Sequence, residues 1–267
     1  MKKNKWLLAL MTLLIVAVLA ACGTSEDEGE TNTGSTPDGG EQKKTLVVGT
    51  SADYAPFEFV DTAVSDEIIG FDIDLIKMIG EKLGYEIKVE NMDFNSLITA
   101  LQAKQFDVVI SGMTPTEERD KVVDFSVPYY ETEQYLIFDK EKGYKEVSEL
   151  KGGTVGAQTS SIQLDLAEDL AAEHGFKAES RNLIPELIQE IKSGRFDAAV
   201  IENIVSENYL SKNDDLAAFP IVVEEPDYKA IVFQEGSTLK AEFDKVIEEL
   251  IEDGTIDELI EKWFVVE

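Results

Sequence analysis

One cysteine and one histidine are all that 267 residues offer of the two side chains most used in metal binding and nucleophilic catalysis. A disulfide framework and a Cys/His zinc cluster are excluded, and a Ser-His-Asp or Cys-His site is disfavoured. Basic residues are scarce as well: 24 Lys and Arg stand against 54 Asp and Glu, a net charge of −30. Such a chain has no electrostatic attraction for nucleic acid or for an anionic bilayer surface. Apolar residues are not scarce. At 43% hydrophobic and 9% aromatic, the chain has the material for one large domain or two lobes, each with its own core.

The N-terminus reads as an export signal. Lys2, Lys3 and Lys5 precede an uncharged stretch from Trp6 to Cys22 that ends in Leu19-Ala20-Ala21-Cys22. A basic start, a short apolar run and small residues before a cut form the secretory pattern. A cysteine directly after them, in a chain with no other, resembles the lipobox of bacterial lipoproteins. That resemblance implies a signal peptide over 1–21 and a lipidated mature N-terminus at Cys22. Three lysines leave with the signal, taking the charge from −30 to −33. Residues 22–44 follow, with no aliphatic or aromatic residue between Gly23 and Lys44 apart from small ones, and are expected to form a flexible tether. The expected location is therefore the outer face of the cytoplasmic membrane.

Beyond the tether the pattern is α/β. Thr45 to Thr50 is a short β-branched run read as a buried strand, and Phe71 to Leu83 places apolar residues on a helical stripe closed by Gly84. Tyr85 to Glu90 reads as the next strand, so a parallel sheet is expected. A weak internal repeat strengthens this reading. Ser96–Ile110 (SLITALQAKQFDVVI) is echoed by Glu186–Val200 (ELIQEIKSGRFDAAV), each an amphipathic helix, a Phe-Asp turn and an apolar strand. Val47-Val48-Gly49 and Thr154-Val155-Gly156 form a second echo. Two lobes on one plan are expected. Near the C-terminus, Leu239, Phe243, Val246, Ile247, Leu250 and Ile251 share a helix face, and Thr255 to Glu258 offers a capping box for a last helix.

In open α/β sheets, ligands bind beyond the carboxyl ends of the strands. Those ends carry Ser51, Asp53 and Tyr54; Ser111, Gly112 and Thr114; Gln158 and Ser161; and Glu202. Thr114-Pro115-Thr116-Glu117 has the form of a capping box, predicting a helix from Thr114 whose N–H groups suit a carboxylate. Arg119 in its first turn suits the same carboxylate, and Glu202 suits an ammonium. Arg119 pairing with neighbouring acids and Glu202 opening a helix are equally compatible with these residues alone. Of the aromatics Tyr54, Phe57, Phe59 and Phe94, the first and last are assigned to the pocket.

Longer motifs add a resemblance. Gly49-Thr-Ser-Ala-Asp-Tyr-Ala-Pro-Phe-Glu-Phe59, Gly70-Phe-Asp-Ile-Asp-Leu75, Ser111-Gly-Met-Thr-Pro-Thr-Glu-Glu-Arg119 and Val123-Asp-Phe-Ser-Val-Pro-Tyr-Tyr130 resemble family-3 bacterial solute-binding proteins. Val155 to Gln163 and Phe196 to Glu202 fit as well, so the resemblance spans residues 45–264. It implies a two-lobed type II periplasmic-binding-protein fold with two crossover hinge strands, one lobe from 45–132 plus 229–267 and the other from 133–228. It implies an extracytoplasmic receptor that hands an amino acid to an ABC permease, a monomer with no cofactor, metal or nucleic acid.

By matching positions, Arg119 with the backbone N–H groups of Thr114 and Ile162 is expected to bind the ligand α-carboxylate. Glu202, the Thr114 hydroxyl and the Gly112 carbonyl are expected to meet the α-ammonium. Tyr54 and Phe94 would flank the side chain, with Ser51 and Asp53 near its far end. Two departures stand out: relatives often carry Asp where this chain has Glu202, and Gly-Thr where it has Ser160-Ser161. The motifs look most like Gram-positive arginine-binding lipoproteins, with glutamine, histidine, lysine and cystine left open. Some proteins of this fold are cyclohexadienyl dehydratases, for which Glu202 is the candidate general acid.

Overall fold

The structure, a computed structural model, describes residues 44–223 and 226–264. The expected signal peptide, Cys22 and the tether up to residue 43 lie outside the described residues.

In the first half, β1 (Lys44–Thr50) leads to three short strands, β2 (Asp53–Tyr54), β3 (Glu58–Val60) and β4 (Ile68–Ile69), which pair with one another in antiparallel fashion. Helix α1 (Phe71–Leu83) follows over the predicted residues, and Gly84 closes it in the left-handed conformation at φ 77°. Its apolar stripe buries Phe71, Leu75, Ile76 and Ile79 completely, each worth about 1.5–3 kcal/mol relative to exposure. Then come β5 (Tyr85–Asn91), α2 (Leu97–Gln102), β6 (Val108–Val109) and β7 (Val123–Phe125). Strand β8 (Tyr130–Thr132) crosses to the second half.

That half runs β9 (Gln134–Asp139), β10 (Thr154–Gln158), α3 (Ile162–His174), β11 (Lys177–Arg181), α4 (Ile184–Lys192), β12 (Ala198–Glu202), α5 (Asn203–Leu210) and β13 (Leu216–Pro220). Strand β14 (Asp227–Lys229) returns beside β8, antiparallel to it, and leads to β15 (Val232–Gln234), α6 (Leu239–Glu252) and α7 (Thr255–Phe264).

Each half has a five-stranded sheet, ordered β5-β1-β6-β15-β7 in the first and β11-β10-β12-β9-β13 in the second. In both, the opening strand lies between two parallel partners, and the fourth position holds an antiparallel strand contributed after or before the crossover. The topology repeats strand for strand, and the sequence repeat shows why. Phe106 packs where Gly49 has no side chain: a Cβ there would lie 2.4 Å from the ring. Phe196 does the same at Gly156, at 2.5 Å. The following aspartates also act alike. Asp107 N donates to Val47 O at 2.8 Å while its carboxylate accepts from Val47 N; Asp197 and Thr154 repeat both bonds. The Phe-Asp turn thus staples each helix–strand unit to its own opening strand. Two α/β lobes of one plan, joined by two crossover strands, form the type II periplasmic-binding-protein fold.

Two details near the C-terminus differ from expectation. Ile251 is 46% exposed, because the buried face of α6 is completed by Phe243, Val246, Ile247 and Leu250. Thr255 is the first residue of α7 rather than its cap: Asp253 Oδ1 accepts from both Thr255 N and Thr255 Oγ1, so the aspartate does the capping.

Candidate functional site

The four strand-end segments meet between the two sheets and line one cavity. All twelve candidates lie on its wall: Ser51, Asp53, Tyr54, Phe94, Ser111, Gly112, Thr114, Arg119, Gln158, Ser161, Ile162 and Glu202. Three further residues line it that sequence reasoning did not select, Glu58, Gln163 and Lys229. Of the remaining aromatics, Phe57 is fully buried in a cluster with Phe71, Tyr130 and Phe264, and Phe59 packs edge-on against Trp263.

The helix predicted from Thr114 does not form. The chain stays irregular through Glu118 and makes a single 3-10 turn at Arg119–Lys121 before entering β7. Pro115 favours an extended Thr114. The capping bond falls two residues later instead, where Thr116 Oγ1 accepts from Arg119 N at 3.2 Å. A helix end does face the cavity, but from the other lobe. Ser161 caps α3, its hydroxyl accepting from Leu164 N at 3.2 Å, so the free N–H groups of that first turn and their positive dipole end lie at the cavity wall. Ser160, just before the cap, takes a left-handed φ of 62°.

Arg119 spans the cleft. Its Nη1 donates to Thr114 O at 2.7 Å, its Nη2 reaches Ser160 O in the other lobe at 2.9 Å, and its Cζ lies 5.5 Å from the Phe94 ring centre. Burial lowers its pKa. Asp53 is a second bridge: it accepts from Ser51 Oγ at 2.8 Å and, across the cleft, from Ile184 N at 2.7 Å and Gln158 Nε2 at 3.2 Å. Burial pushes its carboxyl up against these donors. The expected guanidinium acceptor is thus already held by three protein donors.

Glu202 is the last residue of β12 and immediately precedes α5. Its Oε1 accepts from Gln163 Nε2 at 3.0 Å and forms a buried ion pair with Lys229; its Oε2 is buried and has no hydrogen-bond partner among the described residues. Lys229 also donates to Thr114 Oγ1 at 2.9 Å. Tyr54, stacked on Phe57 with ring centres 5.8 Å apart, has its phenol pushed well up by burial and then by the charge of Glu202.

Behind the cavity lies a buried acid pair. Asp72 accepts from Gly112 N at 2.7 Å and from the Tyr129 hydroxyl at 2.9 Å. Burial raises its pKa to about 6. Glu58 accepts from Ser111 Oγ at 2.7 Å and is pushed well above the carboxylate range by burial and by the neighbouring Asp72 charge. The bond to Asp72 holds Gly112 at φ 49°, in the left-handed region, with Tyr54 only 3.1 Å from where a Cβ would stand.

Among the described residues, no group of three His, Cys, Asp or Glu side chains is placed to hold a metal ion, and no helix is long and apolar enough to cross a membrane. The site therefore offers an arginine and a helix N-terminus for an anion, buried acceptors for a cation, and aromatic walls. That set suits a small zwitterion held by both lobes.

Known proteins are similar to this chain in sequence and fold. The arginine-binding extracellular protein ArtP of Bacillus subtilis is 47% identical over 267 residues, covering 98% of each chain. The amino-acid ABC transporter substrate-binding protein AbpA of Streptococcus pneumoniae, solved with L-arginine bound, superposes with a TM-score of 0.78 at 37% identity, covering 84% of this chain and 96% of its own. An ancestral arginine-binding protein bound to arginine gives a TM-score of 0.77 at 39% identity, covering 84% of this chain and 100% of its own. The sequence matches the family over residues 46–266, which is nearly all of both lobes. This chain belongs to the bacterial extracellular solute-binding proteins, family 3.

Proposed function

We propose that the protein is an extracytoplasmic receptor for a polar L-amino acid, arginine or another basic one first, that delivers its ligand to an ABC permease. The observation that carries this reading is the convergence of Arg119 and the α3 N-terminus from opposite lobes on one cavity, with Thr114, Gly112 and Glu202 lining it beside them. A carboxylate fits the first set and an ammonium the second. Arginine comes first because the relatives described above carry it in name or in the pocket. Cys22 as a lipidated anchor, a tether up to residue 44 and lobes of 45–132 plus 229–267 and 133–228 complete the proposal. So do a monomeric state and a binding rather than catalytic role. Glu202 is a poor general acid, since Lys229 and Gln163 already occupy its Oε1.

The mechanism is a population shift. Ligand contacts drawn from both lobes coexist only when the lobes are together, so binding favours the closed form that the permease reads. A thermal-shift screen of the purified protein against the common amino acids tests the reading. A ligand at about a thousand times its Kd adds on the order of 4 kcal/mol of stability, which is about 8–16 °C for a protein of this size. Arg119→Ala is expected to abolish the shift. No shift with any amino acid defeats the proposal, and a shift that survives in Arg119→Ala removes the carboxylate clamp from it.

A further inference from the structure

Among the described residues, Lys229 is the one cation lining the cavity besides Arg119, and it sits where a ligand group is expected. It ends β14, one of the two crossover strands, and its side chain is 1% exposed. Its ammonium pairs with Glu202 Oε1 and donates to Thr114 Oγ1 at 2.9 Å. Those are two of the three acceptors that family resemblance gives the ligand's α-ammonium. A lysine head is the same donor chemically: a compact ammonium with three N–H groups on a flexible stem. Glu202 Oε2 has no partner of its own, yet a second ammonium there would lie beside the first in a dry site, where like charges repel strongly.

We propose that Lys229 is a tethered competitor for the α-ammonium subsite, bonded to the same Glu202 and Thr114 oxygens that an α-amino acid must win from it. The inference rests on the amino-acid reading above and deepens it, making Lys229 the residue that sets how much the α-amino group counts. Ligand binding becomes an exchange of one ammonium for another on the same oxygens, so the α-amino group adds little net affinity. Discrimination shifts to the carboxylate and the side chain. Carboxylates that lack the α-amino group leave Lys229 where it is, and they bind too.

Calorimetric titration with L-arginine and its des-amino analogue, δ-guanidinovalerate, tests this. On the wild type the two are expected to bind within about tenfold of each other, because the analogue forgoes only a contact that Lys229 keeps satisfied. In Lys229→Met, which keeps the length and removes the charge, L-arginine is expected to tighten at least about tenfold and the analogue is not. A wild type that binds the analogue more than about tenfold more weakly than arginine overturns the inference, as does a Lys229→Met variant that binds arginine no better. If Lys229→Met does not fold, the wild-type pair decides alone, with about tenfold as the dividing line. If the screen returns another amino acid, that amino acid and its own des-amino acid replace the pair. If no amino acid binds the wild type or the variant, the receptor reading falls and this inference with it. If arginine binds and the analogue does not, only this inference falls.

Discussion

Replacing Asp72 by Asn should remove a pH-dependent loss of stability that the wild type carries at neutral pH. Asp72 is fully buried behind the cavity, and burial raises its pKa from 3.8 to about 6 despite bonds from Gly112 N and the Tyr129 hydroxyl. The folded protein therefore holds a proton that the unfolded chain releases. Its contribution to stability is fully present below pH 3.8 and is lost as pH rises through about 6. A carboxyl raised from 3.8 to about 6 corresponds to about 3 kcal/mol, or about 6–12 °C in melting temperature for a protein of this size.

Asparagine keeps the shape. Its carbonyl can accept from Gly112 N while its amide faces the Tyr129 hydroxyl, which is free to turn and accept. The assay is urea unfolding of wild type and Asp72→Asn at steps from pH 4 to 7.5. Surface acids titrate alike in both proteins and cancel in the difference. The variant is expected to gain on the wild type by about 3 kcal/mol across the interval, most of it between pH 4 and 6.5. Glu58 is coupled to Asp72, so the wild-type transition belongs to the pair and is broader than one group would give. A difference that stays constant from pH 4 to 7.5 would refute the reasoning, since it would mean that Asp72 titrates alike in folded and unfolded chains.

Three further substitutions probe backbone features of the site and of the two lobes. Ser160→Gly should stabilise the protein by up to about 1 kcal/mol in denaturant unfolding, because a non-glycine residue at φ 62° carries a steric cost that glycine does not; a loss of stability would contradict this. Gly156→Ala should cost about 1–3 kcal/mol, since the new methyl would lie 2.5 Å from the Phe196 ring, and the same cost is expected for Gly49→Ala against Phe106; unchanged melting of both would dismiss the stapling role of the Phe-Asp turns.

The repeat was legible because it is written in residues with no substitute. A ring pressed onto the backbone demands glycine opposite it, and the aspartate beside the ring ties two strands through both its backbone N–H and its carboxylate. Those constraints recur in each half, so they survive as a pattern even where the rest of the helices differ. The strand-end rule then selected the cavity wall, because sheet topology alone brings the carboxyl ends of the inner strands together. Thr114 misled because its local signal, Thr-Pro-Thr-Glu, is a valid helix start, while β7 begins only nine residues later and leaves room for one turn. Lys229 escaped notice for a different reason. It lies on a crossover strand rather than at the carboxyl end of an inner one, and only the length of its side chain carries its charge into the cavity. Glu58 left no sign: between Phe57 and Phe59 it reads as the solvent-facing position of an alternating strand, yet it is fully buried.

What unites these residues is that the cavity's charges are already spoken for within the chain. Asp53 has three donors, Glu202 has Lys229 and Gln163, Asp72 has Gly112 and Tyr129, and Arg119 has two carbonyls and an aromatic face. Three of those partnerships cross between the lobes: Asp53 with Ile184 and Gln158, Arg119 with Ser160, and Glu202 with a lysine from the crossover. The unpartnered Oε2 atoms of Glu58 and Glu202 apart, a ligand's polar groups compete with internal partners for the same atoms. Its affinity is then a difference between two well-satisfied networks, and groups that merely duplicate an internal partner contribute little to it. Selectivity must come from whatever the internal network does worst. Among the described residues that is the Arg119 guanidinium, whose present acceptors are neutral carbonyls where a carboxylate would bind more strongly.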